Sequence, residues 1–195
     1  SESGGTATFT VVLRTQPTSD VTVLASSSDA SEVSLNVQSI TFTPSNWNAA
    51  QTVTLNGVDD QVADGNQTVS IDFGQATSAD LSYSGLTPAG ISVTNLDNES
   101  AGITVSDVIA TTSESGQSGS FRIALTSQPS SDVTIPVSSS DPGEATVSVS
   151  SIVFTTSTWN TIQTVNVTGV DDQIDDGTQS YQIQFGAITS VDTNY

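Results

Sequence analysis

The feature that most constrains this chain is an internal repeat, because the sequence matches itself after a shift of 112 residues. In this register Trp47 recurs as Trp159, and the match runs without a gap up to Tyr83 and Tyr195. About half of the overlapping positions are identical, far above the level expected for unrelated segments. A tandem duplication of this kind predicts that one structural unit is built twice in succession.

The repeat also sets the expected domain limits, which are residues 1–98 and residues 99–195. The first module has no counterpart of residues 101–113, and the second has no counterpart of residues 84–98. We therefore expect the first module to lack its first strand and the second module to lack its last. Such open modules are expected in a piece of a longer array, or in a subunit whose missing strands come from neighbours.

Within each repeat, apolar and polar residues alternate with a period of two, which is the pattern of half-buried strands. It runs through residues 120–125, 132–137, 163–168 and 179–185. Turn signals such as Asn56-Gly57 and Asp141-Pro142-Gly143 separate the strands, and no segment has the periodicity of an amphipathic helix. With strands about every 8–12 residues and about seven in a full repeat, the sequence predicts an all-β chain of two tandem antiparallel β-sandwiches.

Composition excludes most catalytic chemistries. The 195 residues include 21 acidic side chains, two arginines, no histidine and no cysteine, for a net charge of −19. Without His and Cys, neither a Ser-His-Asp or Cys-His nucleophile nor a zinc site with nitrogen and sulfur ligands can form, so we expect no enzyme activity. Arg14 and Arg122 are too few to bind nucleic acid or an anionic membrane surface. No apolar run reaches the roughly 20 residues that span a bilayer.

The aromatic residues are few, and most of them occupy alternating apolar positions. We predict that all six phenylalanines belong to the core: Phe9, Phe42, Phe73, Phe121, Phe154 and Phe185. Trp47 and Trp159 allow two interpretations, since each precedes an Asn in a Ser/Thr-rich turn. They either plug one end of the sandwich core or form exposed platforms on which sugars stack, and the small number of aromatics favours the plug.

Most acidic residues recur at matching turn positions in the two repeats. Three groups fall in segments that a sandwich brings to one end: the Glu-Ser-Gly turn at Glu2, the Asp-x-x-Glu loop at Asp29, and the Asp-Asp-Gln-x-x-Asp-Gly turn that contains Asp64 and recurs at Asp176. Carboxylates gathered in loops repel one another unless a cation lies among them. Ca²⁺ suits such loops because it takes about six to eight oxygen ligands in irregular geometry.

The Asp-rich turn therefore favours calcium, and a bound ion would stabilise a chain that has no cysteine for disulfides. The alternative is that Asp and Gly only build turns and that the acids keep the surface soluble. The short junction between the modules is acidic too, with Asp97 and Glu99 close together. We hypothesise that these two residues share an ion with Glu114 or with the neighbouring turns, which would stiffen the joint.

Taken together, these motifs resemble the Calx-beta modules of large bacterial surface and secreted proteins. The resemblance covers essentially the whole chain and rests on the Glu-Ser-Gly opening and on residues 40–48, 51–53, 57–65 and 93–99. It implies a seven-stranded immunoglobulin-like sandwich for each module, with calcium sites in the loops at one end, as in the regulatory domains of sodium/calcium exchangers. The implied ligand positions recur in both modules: Glu2, Asp29, Asp59 and Asp60, then Glu114, Asp141, Asp171 and Asp172.

Two classes of function fit these expectations. The first is a non-catalytic structural or adhesive repeat of an extracellular stalk, adhesin or filament at a bacterial surface, stiffened by Ca²⁺ in its acidic end loops. The second is a module that binds a glycan or a protein through exposed Trp, Ser, Thr and Asn loops. In the first class we expect the partners to be neighbouring repeats or subunits, joined through strand addition.

Overall fold

The computed structural model describes residues 1–174 and 177–195. Regular structure in this described part consists of β-strands without any helix, as the period-two pattern predicts. It follows that no described segment is a helix long and apolar enough to cross a bilayer. The chain forms two compact units, one of residues 1–60 and 64–98 and the other of residues 61–63 and 99–195.

The first unit is built on eight strands. They are β1 (Thr6–Val11), β2 (Val21–Ser27), β3 (Val33–Leu35), β4 (Ser39–Phe42), β5 (Gln51–Gly57), β6 (Gln67–Phe73), β7 (Thr77–Ser78) and β8 (Ile91–Asn95). Alternation decides which face of each strand is buried. In β2, for example, Val21, Val23 and Ala25 are buried while the residues between them are not.

These strands form two antiparallel sheets that pack face to face. In one sheet β5 lies between β1 and β3, and in the other the order is β4-β2-β6-β8 with β7 beside β2. Leu55 of the first sheet and Ile71 of the second belong to one buried cluster. Phe9 and Phe73 meet edge to face with their ring centroids 5.8 Å apart. Burial of these apolar side chains, at about 25 cal/mol per Å², stabilises the two-layer arrangement.

The described residues of the second unit form seven strands. They are β9 (Ile103–Ile109), β10 (Ser118–Leu125), β11 (Val133–Ser139), β12 (Ala145–Val147), β13 (Ser151–Phe154), β14 (Gln163–Gly169) and β15 (Ile183–Phe185). Its two antiparallel sheets have the orders β12-β14-β10-β9 and β13-β11-β15. One buried cluster draws side chains from both sheets, including Phe121 and Phe154. Trp159 packs against this cluster while partly exposed, as the plug interpretation expects.

The repeat is visible strand by strand, since β1 to β5 recur as β10 to β14 at the 112-residue spacing. Within the described residues, the first unit has no strand in the position of β9, and the second has none in the position of β8. Both units are immunoglobulin-like antiparallel sandwiches.

The prediction that every phenylalanine is in the core is wrong at one position. Phe42, Phe121 and Phe154 are buried, with at most 4% of their surfaces exposed. Phe9 and Phe73 are partly buried against the core. Phe185, however, is 43% exposed. It lines an open groove beside β15, so alternation correctly identified its face of the strand but not whether that face is covered.

Candidate metal centre

Three carboxylates of the first unit lie together at one end of its sandwich. Glu2, Glu32 and Asp64 each offer one carboxylate oxygen, and these three oxygens lie within 4.8 Å of one another. Glu2 and Glu32 are buried, with 1% and 8% of their surfaces exposed, whereas Asp64 is exposed. Each acid comes just before a strand, namely β1, β3 or β6. The antiparallel sandwich gathers the starts of these three strands at one end, which brings the acids together.

Backbone hydrogen bonds hold the turn that carries Glu2. The Glu2 N–H donates to the carbonyl of Leu96, just after β8, over 3.1 Å, and the Gly5 N–H donates to the carbonyl of Ser1 over 2.9 Å. Gly57, at the end of β5, donates to the Gly5 carbonyl over 2.9 Å and lies close to the turn. A Cβ atom at Gly57 would be 2.3 Å from the Ser1 oxygen, so only glycine permits this approach.

Glu32 ends the loop between β2 and β3 and is held from two sides. The Val33 N–H donates to the carbonyl of Asp29 over 3.1 Å, which closes the loop. The Val58 N–H donates to the carbonyl of Glu32 over 2.9 Å, which ties the loop to the segment after β5. With its backbone fixed in this way, the Glu32 side chain is directed into the buried end of the sandwich.

Asn95, the last residue of β8, places its side-chain amide among these acids and is only 2% exposed. Its Nδ2 lies 3.2 Å from Oε2 of Glu32 and 3.5 Å from Oε1 of Glu2, and it also donates to the Glu32 carbonyl over 3.0 Å. Its Oδ1 is buried and accepts no hydrogen bond from the part of the chain that the structure describes. A buried amide oxygen without a donor costs about 1–3 kcal/mol. Nδ2 faces the carboxylates in this orientation, and a half-turn of the amide would place Oδ1 beside them instead.

In the Asp-rich segment after β5, Asp59 and Asp64 lie near Glu2, whereas Asp60 does not belong to the cluster of described carboxylates. Exposed Asp59 offers an oxygen within 4.8 Å of one on Glu2. Asp97 accepts a hydrogen bond from the Gly65 N–H over 2.6 Å, which joins the turn next to Asp64 to the segment after β8. Asp60 is exposed and is not among the clustered carboxylates of the described residues.

Asp29, although predicted as a ligand, builds its own turn instead. Its Oδ1 accepts hydrogen bonds from the hydroxyl and from the N–H of Ser31, the latter over 3.0 Å. These bonds, the hydroxyl bond first, lower the pKa of the Asp29 carboxyl below its ordinary value. The residue is exposed and lies outside the cluster. Its geometry matches the turn-building alternative that the sequence left open.

The equivalent acids of the second unit are arranged differently, and those that the structure describes form no such cluster. Glu114, which corresponds to buried Glu2, is exposed, and Glu144, which corresponds to Glu32, is half-buried. Both line an open groove of about 400 Å³. None of the described residues of the second unit corresponds to Asn95 in the repeat register.

The remaining predicted ligands of the second unit that the structure describes are exposed. Asp141 accepts a hydrogen bond from the Gly143 N–H over 3.0 Å and so repeats the turn at Asp29. Asp171 and Asp172 are exposed. Asp176 lies outside the described residues, so its predicted role stays a prediction.

Sequence reasoning did not select two residues of the cluster, Glu32 and Asn95. Glu32 was recognised as part of an acidic loop that recurs at Glu144, but its burial depends on contacts with distant segments. The sequence pattern of β8 does mark Asn95 as an inward-facing polar residue. It continues the inward-facing alternation of Ile91 and Val93, so a polar residue falls on the apolar face of β8.

Comparison with known proteins adds little to this geometry. No protein-family model matches the sequence, and no curated protein is significantly similar to it. The solved structures that resemble the fold include three of low identity. CBD12 from CALX1.2 is 14% identical with a TM-score of 0.41, and the calcium binding domain CBD12 of CALX1.1 is 13% identical with a TM-score of 0.39; each match covers 94% of this chain and 74% of the other.

The third structure is a protein of unknown function from Porphyromonas gingivalis W83. It is 14% identical, the match covers 86% of this chain and 76% of that protein, and the TM-score is 0.30. Similarities with TM-scores below 0.5 assign no function to this chain.

Proposed function

We propose that the first unit binds a Ca²⁺ ion through Glu2, Glu32 and Asp64 and that this ion acts as a structural staple. The observation that carries the proposal is the position of Asn95. This 2%-exposed side chain reaches two carboxylates, while its own oxygen has no donor among the described residues. A cation between the carboxylates and a rotated amide would use all of these oxygens.

The electrostatics of the cluster favour a cation. Carboxylates that lose their water through burial need a positive charge or a proton nearby. Asn95 donates hydrogen bonds to Glu2 and Glu32 but supplies no charge. The chain has two basic side chains against 21 acids, and one of the two, Arg122, pairs with Asp107 in the second unit over 2.8 Å. A cation from solution would supply the positive charge that the amide does not.

The chemistry of the ligands selects Ca²⁺ over other common ions. All candidate ligands are oxygens, and rotating the Asn95 amide by half a turn would present Oδ1 instead of Nδ2 without changing the shape of the side chain. Ca²⁺ accepts carboxylate and amide oxygens at about 2.3–2.6 Å in irregular loops. Mg²⁺ needs near-octahedral geometry at about 2.0–2.1 Å, which acids from separate segments satisfy less readily.

The burial of the site favours a structural role over a catalytic one. A carboxylate that acts as a general acid or base must come within hydrogen-bond reach of a substrate, and Glu2 and Glu32 are buried. An ion at this position would instead join segments that are far apart in sequence, in a chain with no disulfides. We extend the proposal to a non-catalytic structural or adhesive repeat of a bacterial cell-surface or secreted protein. The Calx-beta-like motifs support this extension.

Thermal unfolding in Ca²⁺, Mg²⁺ and chelator tests the proposal. Each unit carries one tryptophan, so Trp47 in a Trp159→Phe background reports on the first unit. An ion that binds only the folded state at a hundred times its Kd adds about 2.7 kcal/mol of stability. We expect Ca²⁺ to raise the midpoint of unfolding of the first unit, and Mg²⁺ to raise it less.

Glu32→Gln should abolish this calcium shift because it removes a buried carboxylate from the cluster. The matched variant Glu144→Gln changes the equivalent residue of the second unit and should keep the full shift at Trp47. An equal calcium shift in Glu32→Gln and in the unmodified chain would contradict the proposal.

A further inference from the structure

The turn that carries Asp64 is tied to the segment that follows β8. The strands β6 and β8 are antiparallel neighbours, and Gln67, the first residue of β6, lies opposite Asn95, the last residue of β8. The residues before β6 and the residues after β8 therefore leave the sheet at the same end. Residues 64–66 and 96–97 meet there, next to the carboxylate cluster.

Two hydrogen bonds join these segments in opposite directions. The Gly65 N–H donates to Oδ2 of Asp97 over 2.6 Å, and the Asp97 N–H donates to Oδ1 of Asn66 over 3.1 Å. A hydrogen bond to an ionised carboxylate is shorter and stronger than one between neutral groups. The bond from Gly65 to Asp97 is therefore the main restraint on this turn.

A third hydrogen bond holds the same peptide unit from its other side. Nε2 of Gln67 donates to the carbonyl of Asp64 over 3.1 Å. This carbonyl and the Gly65 N–H belong to one planar peptide unit, which follows Asp64 directly. With both of its polar groups bonded, the peptide unit has a fixed orientation.

Gly65 gives the turn its conformation but does not by itself keep it there. Its φ is +81°, and an added Cβ would meet no atom within 4 Å, so glycine is needed for the backbone conformation and not for space. Glycine also has more conformational freedom than any other residue. The turn therefore depends on its hydrogen bonds to stay in a single conformation.

Asp64 needs this restraint more than the other carboxylates of the proposed calcium site. Glu2 and Glu32 are buried, so the surrounding atoms restrict their side chains, whereas Asp64 is exposed. The position of its carboxylate, within 4.8 Å of theirs, depends on the backbone of the turn. A ligand that is already held in place loses less freedom when an ion binds, which raises the affinity.

We infer that Asp97 is a positioning residue: its carboxylate holds the Gly65 N–H and thereby keeps Asp64 in place to bind the ion. This role rests on the calcium site proposed above. None of the carboxylate clusters among the described residues includes Asp97, and its Oδ2 already accepts the bond from Gly65. The sequence predicts a ligand at this position, and the two roles differ in their measurable consequences.

Amide hydrogen exchange in chelator tests whether Asp97 holds the turn. The Gly65 N–H should exchange slowly in the unmodified chain and in Asp97→Asn, because the oxygen of an Asn side chain can still accept the bond. Its exchange should be at least about tenfold faster in Asp97→Ala. Thr94→Ala, which removes a polar side chain from the exposed face of β8, should leave the exchange of Gly65 unchanged.

Calcium titration of the same variants tests whether the turn positions a ligand. Asp97→Asn and Asp97→Ala remove the same charge, so the difference between them reports on the hydrogen bond. We expect Asp97→Ala to bind Ca²⁺ at least about tenfold more weakly than Asp97→Asn. Asn66→Ala removes the second bond without changing any charge and should weaken calcium binding as well.

Two results, obtained on a chain that binds Ca²⁺, would each overturn this role of Asp97 while leaving the calcium site intact. The first is equal calcium affinity in Asp97→Ala and Asp97→Asn. The second is weaker calcium binding in Asp97→Ala without faster exchange of Gly65, which would make Asp97 a ligand. If the unmodified chain binds no Ca²⁺, the proposed site is wrong and the positioning role is wrong with it.

Discussion

Asn95 donates a hydrogen bond from Nδ2 to Oε2 of Glu32 over 3.2 Å, although 63 positions separate the two residues in the sequence. Asn95 ends β8 in one sheet, and Glu32 precedes β3 in the other. The contact therefore spans the two layers of the first sandwich. Any ion that binds there would depend on the packing of both sheets, so calcium affinity and the stability of the first unit should change together.

The variant Asn95→Asp should destabilise the first unit in chelator and stabilise it in Ca²⁺. In chelator a new buried negative charge joins Glu2 and Glu32, and an uncompensated buried charge costs about 3–5 kcal/mol. In Ca²⁺ the same carboxylate becomes a ligand. The midpoint of thermal unfolding, read at Trp47 with and without calcium, measures both effects.

Thr94→Asp is the control for this substitution, since it adds the same charge one residue earlier on the exposed face of β8. It should change the free energy of unfolding of the first unit by no more than about 0.5 kcal/mol in either condition, as is usual for surface substitutions. If the two variants behave alike, Asn95 is not part of a cation site.

Gly57→Ala should displace the turn that carries Glu2. A Cβ atom at position 57 would lie 2.3 Å from the Ser1 oxygen and 2.7 Å from Oδ1 of Asn95, so the surrounding segments have to move. We expect a loss of about 1–3 kcal/mol in stability, as for other overpacked sites, and at least about tenfold weaker calcium binding measured by titration calorimetry.

Gly74→Ala provides the comparison, because the nearest atom to its Cβ would be Cβ of Leu24 at an ordinary 3.6 Å. Calcium affinity should be unchanged in that variant. Unaltered affinity in Gly57→Ala as well would show that the turn at Glu2 does not position a ligand.

Lowering the pH should destabilise both units, because each contains one of two equivalent aspartates whose pKa is lowered in the folded state. Asp80 accepts hydrogen bonds from the N–H groups of Thr18 and Ser82 over 2.8 and 2.9 Å, and these bonds lower the pKa of Asp80. Burial, the largest single influence on Asp192, raises its pKa, but the bonds from the N–H groups of Asn194 and Ser130 together outweigh it and lower the pKa.

Because the folded pKa of each group lies below the unfolded value of about 3.9, each contributes stability that is complete above that pH. The contribution is lost as the pH falls through the folded pKa. Urea unfolding between pH 7 and pH 2 should show this loss, and Asp80→Asn or Asp192→Asn should reduce it for the unit that carries the change. A pH profile parallel to that of the unmodified chain would contradict the assignment.

Removing equivalent isoleucines should cost different amounts in the two units. Ile71 is 0% exposed beneath β8, so Ile71→Ala should lower the free energy of unfolding of the first unit by about 2–5 kcal/mol. Ile183→Ala should cost less than half as much, because its side chain is only half-buried beside the open groove. Denaturant unfolding read separately at Trp47 and Trp159 measures the two costs. Equal costs would show that the different exposure of the two isoleucines does not determine them.

Much of the fold was predictable from the sequence because its signals are local. Alternation along residues 132–137 identified a strand that the structure places at Val133–Ser139, and the repeat placed its counterpart at Val21–Ser27. Phe185 shows the limit of this reasoning, since alternation identifies the inward face of a strand but says nothing about whether another strand covers that face.

For the candidate site, too, local sequence patterns predict some features and the tertiary contacts determine the others. The sequence by itself determined that two acidic β-sandwiches would form and that Glu2, Asp59 and Asp64 would lie in turns at strand ends. Only the tertiary structure decided that Glu32 and Asn95 join the cluster, that Asp29 builds a turn outside it, and that Glu114 of the second unit is exposed where its counterpart Glu2 is buried. The physical reason is that burial and hydrogen bonding of these side chains depend on segments up to 93 positions away, such as Asn95 beside Glu2, which no local pattern specifies.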